Sequence, residues 1–477
     1  MAILFCIFVM VVLIQFAFRN RPRSIKLSEL EGYVIQDSFY AGDTIPVYMH
    51  ASTRCEGRLY RLSCIAEDMG IIFSDHTQIQ SNQFHPSRGL QWTDPILIQT
   101  TGFRPGYYYL HVSSASSAAH PAYIPFIIKS RHPHEIVIVA STNTWQAYNH
   151  FGGKSNYVDN RRGLLERLIE LIFYIANYVT VGLIPSRPVV LPMARPFSWA
   201  YSELDGLSRP DKPSPFSHLI RSEWNLVAFL ESRGYAYTVI SDRDFQLNDG
   251  MSGARLIVFN THSEYWTNEM LARLEAIQTQ GGPHMVFASG NNAFRIAEYY
   301  DHGLIVTNQF SNIATVSRLV GTYYTKAGYL SFAPYRTELA THWIFENTGL
   351  SQGSLFGTQS TWTINGRPVG GASGYETDKI YPSGAPIIVL AVGTNPSGPA
   401  YLTIKETGTQ FTLSMGSVAF AGALPVDTIV QQMFTNILHR AQCTVDRKRS
   451  TNHTPSAGGE KKGGVSQVGV VGCSMAC

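Results

Sequence analysis

Between residues 135 and 289 the chain repeats one grammar: a short apolar run without polar alternation, a segment with helical spacing, then another apolar run. The runs are Ile136-Val137-Ile138-Val139-Ala140, Tyr237-Thr238-Val239-Ile240, Leu256-Ile257-Val258-Phe259 and Met285-Val286-Phe287-Ala288. A strand that is apolar at successive positions has to be covered on both faces, which restricts it to the interior of a layered fold. Ile220, Trp224, Val227 and Leu230 make the apolar face of one intervening helix, with Ser217 expected as its cap and Gly234 as its stop. Met270, Leu271, Leu274 and Ile277 do the same for a second helix, between Thr267 and Gly281-Gly282.

Strand-helix alternation of this kind predicts an α/β domain over 130–442 with a doubly wound, mostly parallel sheet of the amidotransferase or flavodoxin-like type. A β-rich excursion at about 321–400 precedes a last helix through Val426, Ile429, Met433 and Ile437. From 26 to 129 the text is different: short alternating runs such as Thr44 to Met49 and Tyr107 to Val112, which predict a small β-sandwich-like domain. The 57 aromatic residues (25 Phe, 25 Tyr, 7 Trp) and 40 Gly suit a sheet-rich protein with many turns.

The two ends read separately. Residues 1–18 are apolar apart from Gln15 and are followed by Arg19, Arg21, Arg23 and Lys26, which fits a short membrane anchor, with a gene-model extension as the alternative. An anchor would leave the following domains cytoplasmic. Leu164 to Leu183 is apolar but broken by Glu166, Arg167 and Glu170, and predicts a buried or interface helix. Residues 443–477 lack apolar periodicity and predict a disordered tail. With 44% hydrophobic and 15% charged residues the rest should fold, and 37 basic against 34 acidic residues give +3, too balanced for a nucleic-acid partner.

Ligands of open α/β sheets bind beyond the carboxyl ends of the strands. The residues there are Asn143, Thr144, Trp145, Gln146, Tyr148, Asn149 and His150; then Asp242 and Asp244; then Asn260 to Tyr265, with His262 and Glu264; then Ser289, Asn291 and Asn292. No cysteine lies between Cys64 and Cys443, no phosphate-cradling glycine motif follows a strand, and Gly349-Leu350-Ser351-Gln352-Gly353 is not set between strand and helix. Hard oxygen donors and an imidazole remain, which suit a bound cation better than a covalent nucleophile.

Ser141-Thr142-Asn143-Thr144-Trp145-Gln146-Ala147-Tyr148-Asn149-His150-Phe151-Gly152-Gly153, Ala194-Arg195-Pro196-Phe197, Thr261-His262-Ser263-Glu264-Tyr265-Trp266 and Ser289-Gly290-Asn291-Asn292 together resemble the large subunit of N,N-dimethylformamidase, as do Gly374 to Asp378 and Gly416 to Phe420. The resemblance covers about 130–440. It implies an amidohydrolase acting on a small linear amide, with a mononuclear ferric iron held by two tyrosinates and a glutamate. Tyr148 matches one tyrosinate and Glu264 the carboxylate, His262 a histidine behind them, Asn291 a polar active-site residue and Glu376 a carboxylate near substrate. The second tyrosinate is expected in an R-P-Y string, which here reads Arg195-Pro196-Phe197; Phe cannot ligate, and Tyr201, four residues on, would share its face in a helix. Asn143, Trp145, Phe197 and Phe420 are expected around the substrate. Zinc or another divalent ion on His262 and Glu264 is the alternative cofactor, and a non-catalytic protein binding a polar ligand such as a glycan the alternative function. A small subunit or a second copy of the chain is the implied partner.

Overall fold

A computed structural model describes residues 22–115, 119–157, 188–382 and 386–443. The expected anchor at 1–18, the apolar helix at 164–183 and the tail from 444 onward lie outside these residues. Among the described residues no helix is long and apolar enough to cross a membrane.

The N-terminal part is built on a nineteen-residue strand, Thr44–Leu62. It pairs antiparallel with Leu30–Tyr33, Ala66–Gln78, Ile96–Gln99 and Gly106–Ser114, and Ala122–Lys129 continues the sheet. Ile45, Val47, Met49, Leu59, Leu110, Val112, Ile124 and Phe126 form its core.

The larger part is organised by a nine-stranded sheet in the order Tyr237–Ser241, Ile136–Ala140, Leu256–Thr261, His284–Ser289, Gln410–Ser414, Tyr401–Thr407, Ile388–Gly393, Tyr335–Thr337, Leu355–Phe356. The first five run parallel. Their side chains alternate between two cores: Ile136, Ile138, Val258 and Val286 face Trp224, Val227 and Met433, whereas Val137, Val139, Ile257 and Phe287 face Phe245, Met270, Leu274 and Leu319. That two-sided cover is why the runs read as apolar at every position.

The fold class expected from sequence is corrected here. Among the described residues the structure is mostly β, 39% strand and 19% helix, with several mixed sheets, and it is not a doubly wound flavodoxin-like α/β fold. The other four strands of the large sheet join it antiparallel. Ile388–Gly393 is apolar throughout, as a parallel strand would be, because a strand inside a large sheet can be covered on both faces whatever its direction. Ser217 does not cap the helix Ile220–Ser232; its hydroxyl donates to Glu203 Oε2 instead. Thr267 and Asp427 do cap theirs, accepting from Met270 N and from Ile429 and Val430 N.

The two parts are held by a buried polar junction. The Glu223 carboxylate accepts from Tyr107 Oη (2.7 Å), Trp145 Nε1 (2.8 Å) and Ser141 N (3.3 Å), joining the N-terminal sheet to the start of the helix Thr142–Tyr148. Burial lifts this carboxyl from 4.5 to about 7 against the pull of those donors. A raised native pKa means that the native chain binds the proton more tightly than the unfolded chain. Its contribution to stability is therefore full below 4.5 and is lost as pH climbs to about 7. Glu223→Gln should remove part of that decline, seen as a flatter curve of melting temperature against pH than wild type gives between pH 4.5 and 7. Parallel curves would count against the assignment.

Candidate functional site

The rim at the carboxyl ends of the parallel strands gathers buried ionisable groups. The strand Leu256–Thr261 ends in Thr261 at φ 53°, which turns the chain so that His262 and Glu264 face back across the sheet. The next strand leads through Gly290 to Asn291, at φ 54°. A Cβ on Gly290 would lie 2.5 Å from Val418 N and 2.8 Å from Glu376 O, so only glycine lets the segment carrying Glu376 pass this close. Tyr375, directly before Glu376, has φ 64°. Left-handed conformations of a β-branched and an aromatic residue cost about 1–3 kcal/mol each, and such strain gathers where surroundings hold a functional geometry.

His262, Glu264 and Glu376 bring one ligand atom each to within 4.8 Å of one another, and all three are buried. His262 Nε2 lies 2.8 Å from Glu376 Oε2 and 3.4 Å from Glu264 Oε2, the nearer approach being angled rather than collinear. Asn291 Nδ2 donates to Glu376 Oε2 at 2.9 Å, and its Oδ1 is buried without a partner. Asp378, lifted to about 6 by burial, ties the two loops together by accepting from Asn291 N and Asn292 Nδ2, both at 2.8 Å. Arg295 Nε donates to Glu264 Oε1 at 3.0 Å.

Tyr157, which sequence reasoning missed, completes the cluster. Its hydroxyl contacts both carboxylate oxygens of Glu264, at 3.1 and 3.0 Å, and the Tyr265 hydroxyl at 2.6 Å. Its ring lies 4.4 Å from that of Tyr148, whose own ring stands 5.7 Å from His262. The chain returns to the rim because Gly152 and Gly153 take φ 70° and 77°, reversing it after the helix that carries Tyr148. Arg195, 1% exposed, clamps this reversal by donating to the carbonyls of Gln146, Asn149 and Lys154. A signal was present in the Gly-Gly pair four residues before a tyrosine, but nothing in the spacing says where the reversed segment lands. His218 was missed as well: its Nδ1 lies 2.9 Å from His262 Nδ1, and its ring packs edge-on to Tyr148 at 4.4 Å.

The remaining expected residues stand elsewhere. Phe197 packs on Trp199 and Trp145, and Tyr201, 45% exposed, packs on His120 and Tyr123; both line a surface groove of about 410 Å³, so neither R-P-F nor the helix after it enters the cluster. Trp145 is bound to Glu223, and Phe420 is in the hydrophobic core. Asn143 Nδ2 donates to the Tyr265 carbonyl at 3.0 Å and its Oδ1 accepts from Tyr299, so it supports the backbone beside Glu264.

Electrostatically the site is rich in groups whose ionised forms are anionic. Burial lifts Glu264 to about 7, with the Glu376 charge adding to it and His262 and Arg295 opposing. Burial and the Glu264 charge likewise push the phenols of Tyr148 and Tyr157 above their ordinary value. Burial alone would lower His262, but the carboxylates of Glu376 and Glu264 outweigh it and raise it. His218 is lowered, first by burial and then by His262. Hard oxygens lifted in this way are what a small, highly charged cation would bring back down, and the donor set fits one.

The model of the C-terminal domain of the N,N-dimethylformamidase beta subunit-like family matches residues 72–436. No curated protein matches the chain. Among solved structures, a cycloisomaltooligosaccharide glucanotransferase of Paenibacillus sp. in complex with cycloisomaltoheptaose is 9% identical, at a TM-score of 0.14, too low for a structural argument. That alignment covers 64% of this chain and 61% of the glucanotransferase, so the chain spans about three fifths of its length.

Proposed function

Because the chain belongs to the N,N-dimethylformamidase beta subunit-like family, we propose that it hydrolyses the C–N bond of a small linear amide at the rim cluster. The observation that carries the reading is the convergence of His262, Glu264 and Glu376, with the Tyr157 hydroxyl resting on Glu264. Tyr148, Tyr157 and Glu264 are the residues that would hold a ferric ion. Such an ion, when bound, polarises an amide carbonyl and acidifies water. His262, Glu264 and Glu376 also make a set that a divalent ion such as zinc accepts.

The protein's own groups then divide the work. Asn291 is anchored by Glu376 and Asp378, which fixes the polar edge against which a carbonyl aligns. Glu376 takes a proton from the attacking water as its oxygen bonds to the carbonyl carbon. His262 Nε2–H gives one to the amide nitrogen as the C–N bond breaks, leaving an acid and an amine. Phe216, 4.4 Å from Tyr375 and 6.5 Å from His218, walls the site with Tyr148 and limits the water that reaches it.

The test is to incubate purified full-length protein with small formamides and acetamides and to measure amine and acid. Equal release of both is expected. Failure to cleave any of them, together with binding of a polar ligand such as a glycan, would favour a non-catalytic protein on the same scaffold.

A further inference from the structure

His218 reaches the site from the extended segment between Ser214–Pro215 and the helix Ile220–Ser232. Its ring is held on three sides, edge-on by Tyr148 at 4.4 Å, stacked by Tyr375 at 5.4 Å and flanked by Phe216 at 6.5 Å. Two imidazole nitrogens 2.9 Å apart need a single proton between them, so the contact of His218 Nδ1 with His262 Nδ1 is a hydrogen bond of fixed membership. The other nitrogen of His262 faces two carboxylate oxygens, at 2.8 and 3.4 Å, where an N–H is favoured and a lone pair is repelled.

We propose that His218 is a positioning residue: by bonding His262 at Nδ1, it holds the His262 ring so that Nε2 stays turned toward Glu376 and Glu264. A hydrogen bond to one nitrogen of a histidine fixes the orientation of its ring. The arrangement holds whichever imidazole owns the shared proton. Either ring can be the donor, since each imidazole nitrogen in the contact can give or take the shared proton. In every case the His262 ring cannot rotate without breaking the pair. The inference deepens the hydrolase reading, and rests on it for its kinetic consequence alone.

The substitutions His218→Asn, His218→Gln and His218→Ala separate this role from simple packing. An Asn amide lies near the position of Nδ1 and can donate or accept there, whereas a Gln amide reaches the position of Nε2. His218→Asn should keep the arrangement; Gln and Ala should lose about tenfold or more in kcat with KM little changed. The independent readout is the long-range ¹H–¹⁵N spectrum of histidine-labelled, full-length protein carrying gallium in place of iron. It should show His262 Nδ1 in a hydrogen bond in wild type and His218→Asn, and the loss of that bond in His218→Gln and His218→Ala. A His262 Nδ1 free of any hydrogen bond in wild type, or Gln and Asn variants alike in spectrum and kcat, would overturn the proposal. Should Ala fail to fold, the Asn and Gln pair still decides. The expected spectrum in a protein that cleaves no amide would uphold the pairing and sink the hydrolase reading by itself.

Discussion

Glu376→Gln is expected to lower kcat for amide hydrolysis by roughly 10²–10⁴-fold, the range general acid–base groups contribute, while KM and melting temperature change little. Glu376 is 6% exposed, and its Oε2 lies within reach of both the His262 imidazole and the Asn291 amide. Glutamine preserves the shape and one oxygen acceptor, so Asn291 keeps its anchor and the fold its packing. It cannot take a proton from water. Because Glu376 sits behind a left-handed Tyr375 and under the Gly290 crossing, its carboxylate has little freedom to be replaced by another group. An unchanged kcat, measured at substrate saturation, would move the proton transfer elsewhere and leave Glu376 as a structural anchor.

Tyr157→Phe is the second large effect. Removing a phenol that rests on both oxygens of Glu264 should weaken iron binding by at least about 10–100-fold, the loss seen when even supporting groups are deleted. It should also shift or erase a visible phenolate-to-iron absorption. Tyr148→Phe should act the same way. Tyr201→Phe is the control: Tyr201 packs against His120 and Tyr123 at the surface, so both metal content and spectrum should be unaffected. Titration of the metal-stripped variants with ferric ion, read by absorbance, distinguishes the three. Loss of the band in Tyr201→Phe with retention in Tyr157→Phe would reverse the assignment.

The sequence held the site unevenly. His262, Glu264 and Asn291 were legible because each follows an apolar strand, and the loops there converge whatever the rest of the chain does. Tyr157 and His218 were not legible. The first depends on a reversal at Gly152-Gly153 clamped by Arg195, the second on an extended approach to a helix, and both are tertiary facts. Tyr201 was drawn in by the assumption that Phe197 and Tyr201 share a helix. The helix begins at Ala200, so the i, i+4 rule does not reach back to Phe197. The fold class was misjudged for a related reason. The parallel runs between 136 and 289 set the pattern expected of the whole sheet, whereas strands of the β-rich stretch at about 321–400, such as Ile388–Gly393, join the same sheet antiparallel.

The central claim is that Tyr148, Tyr157 and Glu264 grip a ferric ion beside His262 and Glu376. Elemental analysis of full-length protein as purified, with its visible spectrum, tests it most directly. The account predicts about one iron per chain and an absorption that disappears in Tyr148→Phe and Tyr157→Phe. Zinc without a visible band, or full amide hydrolysis by metal-free protein, would contradict it.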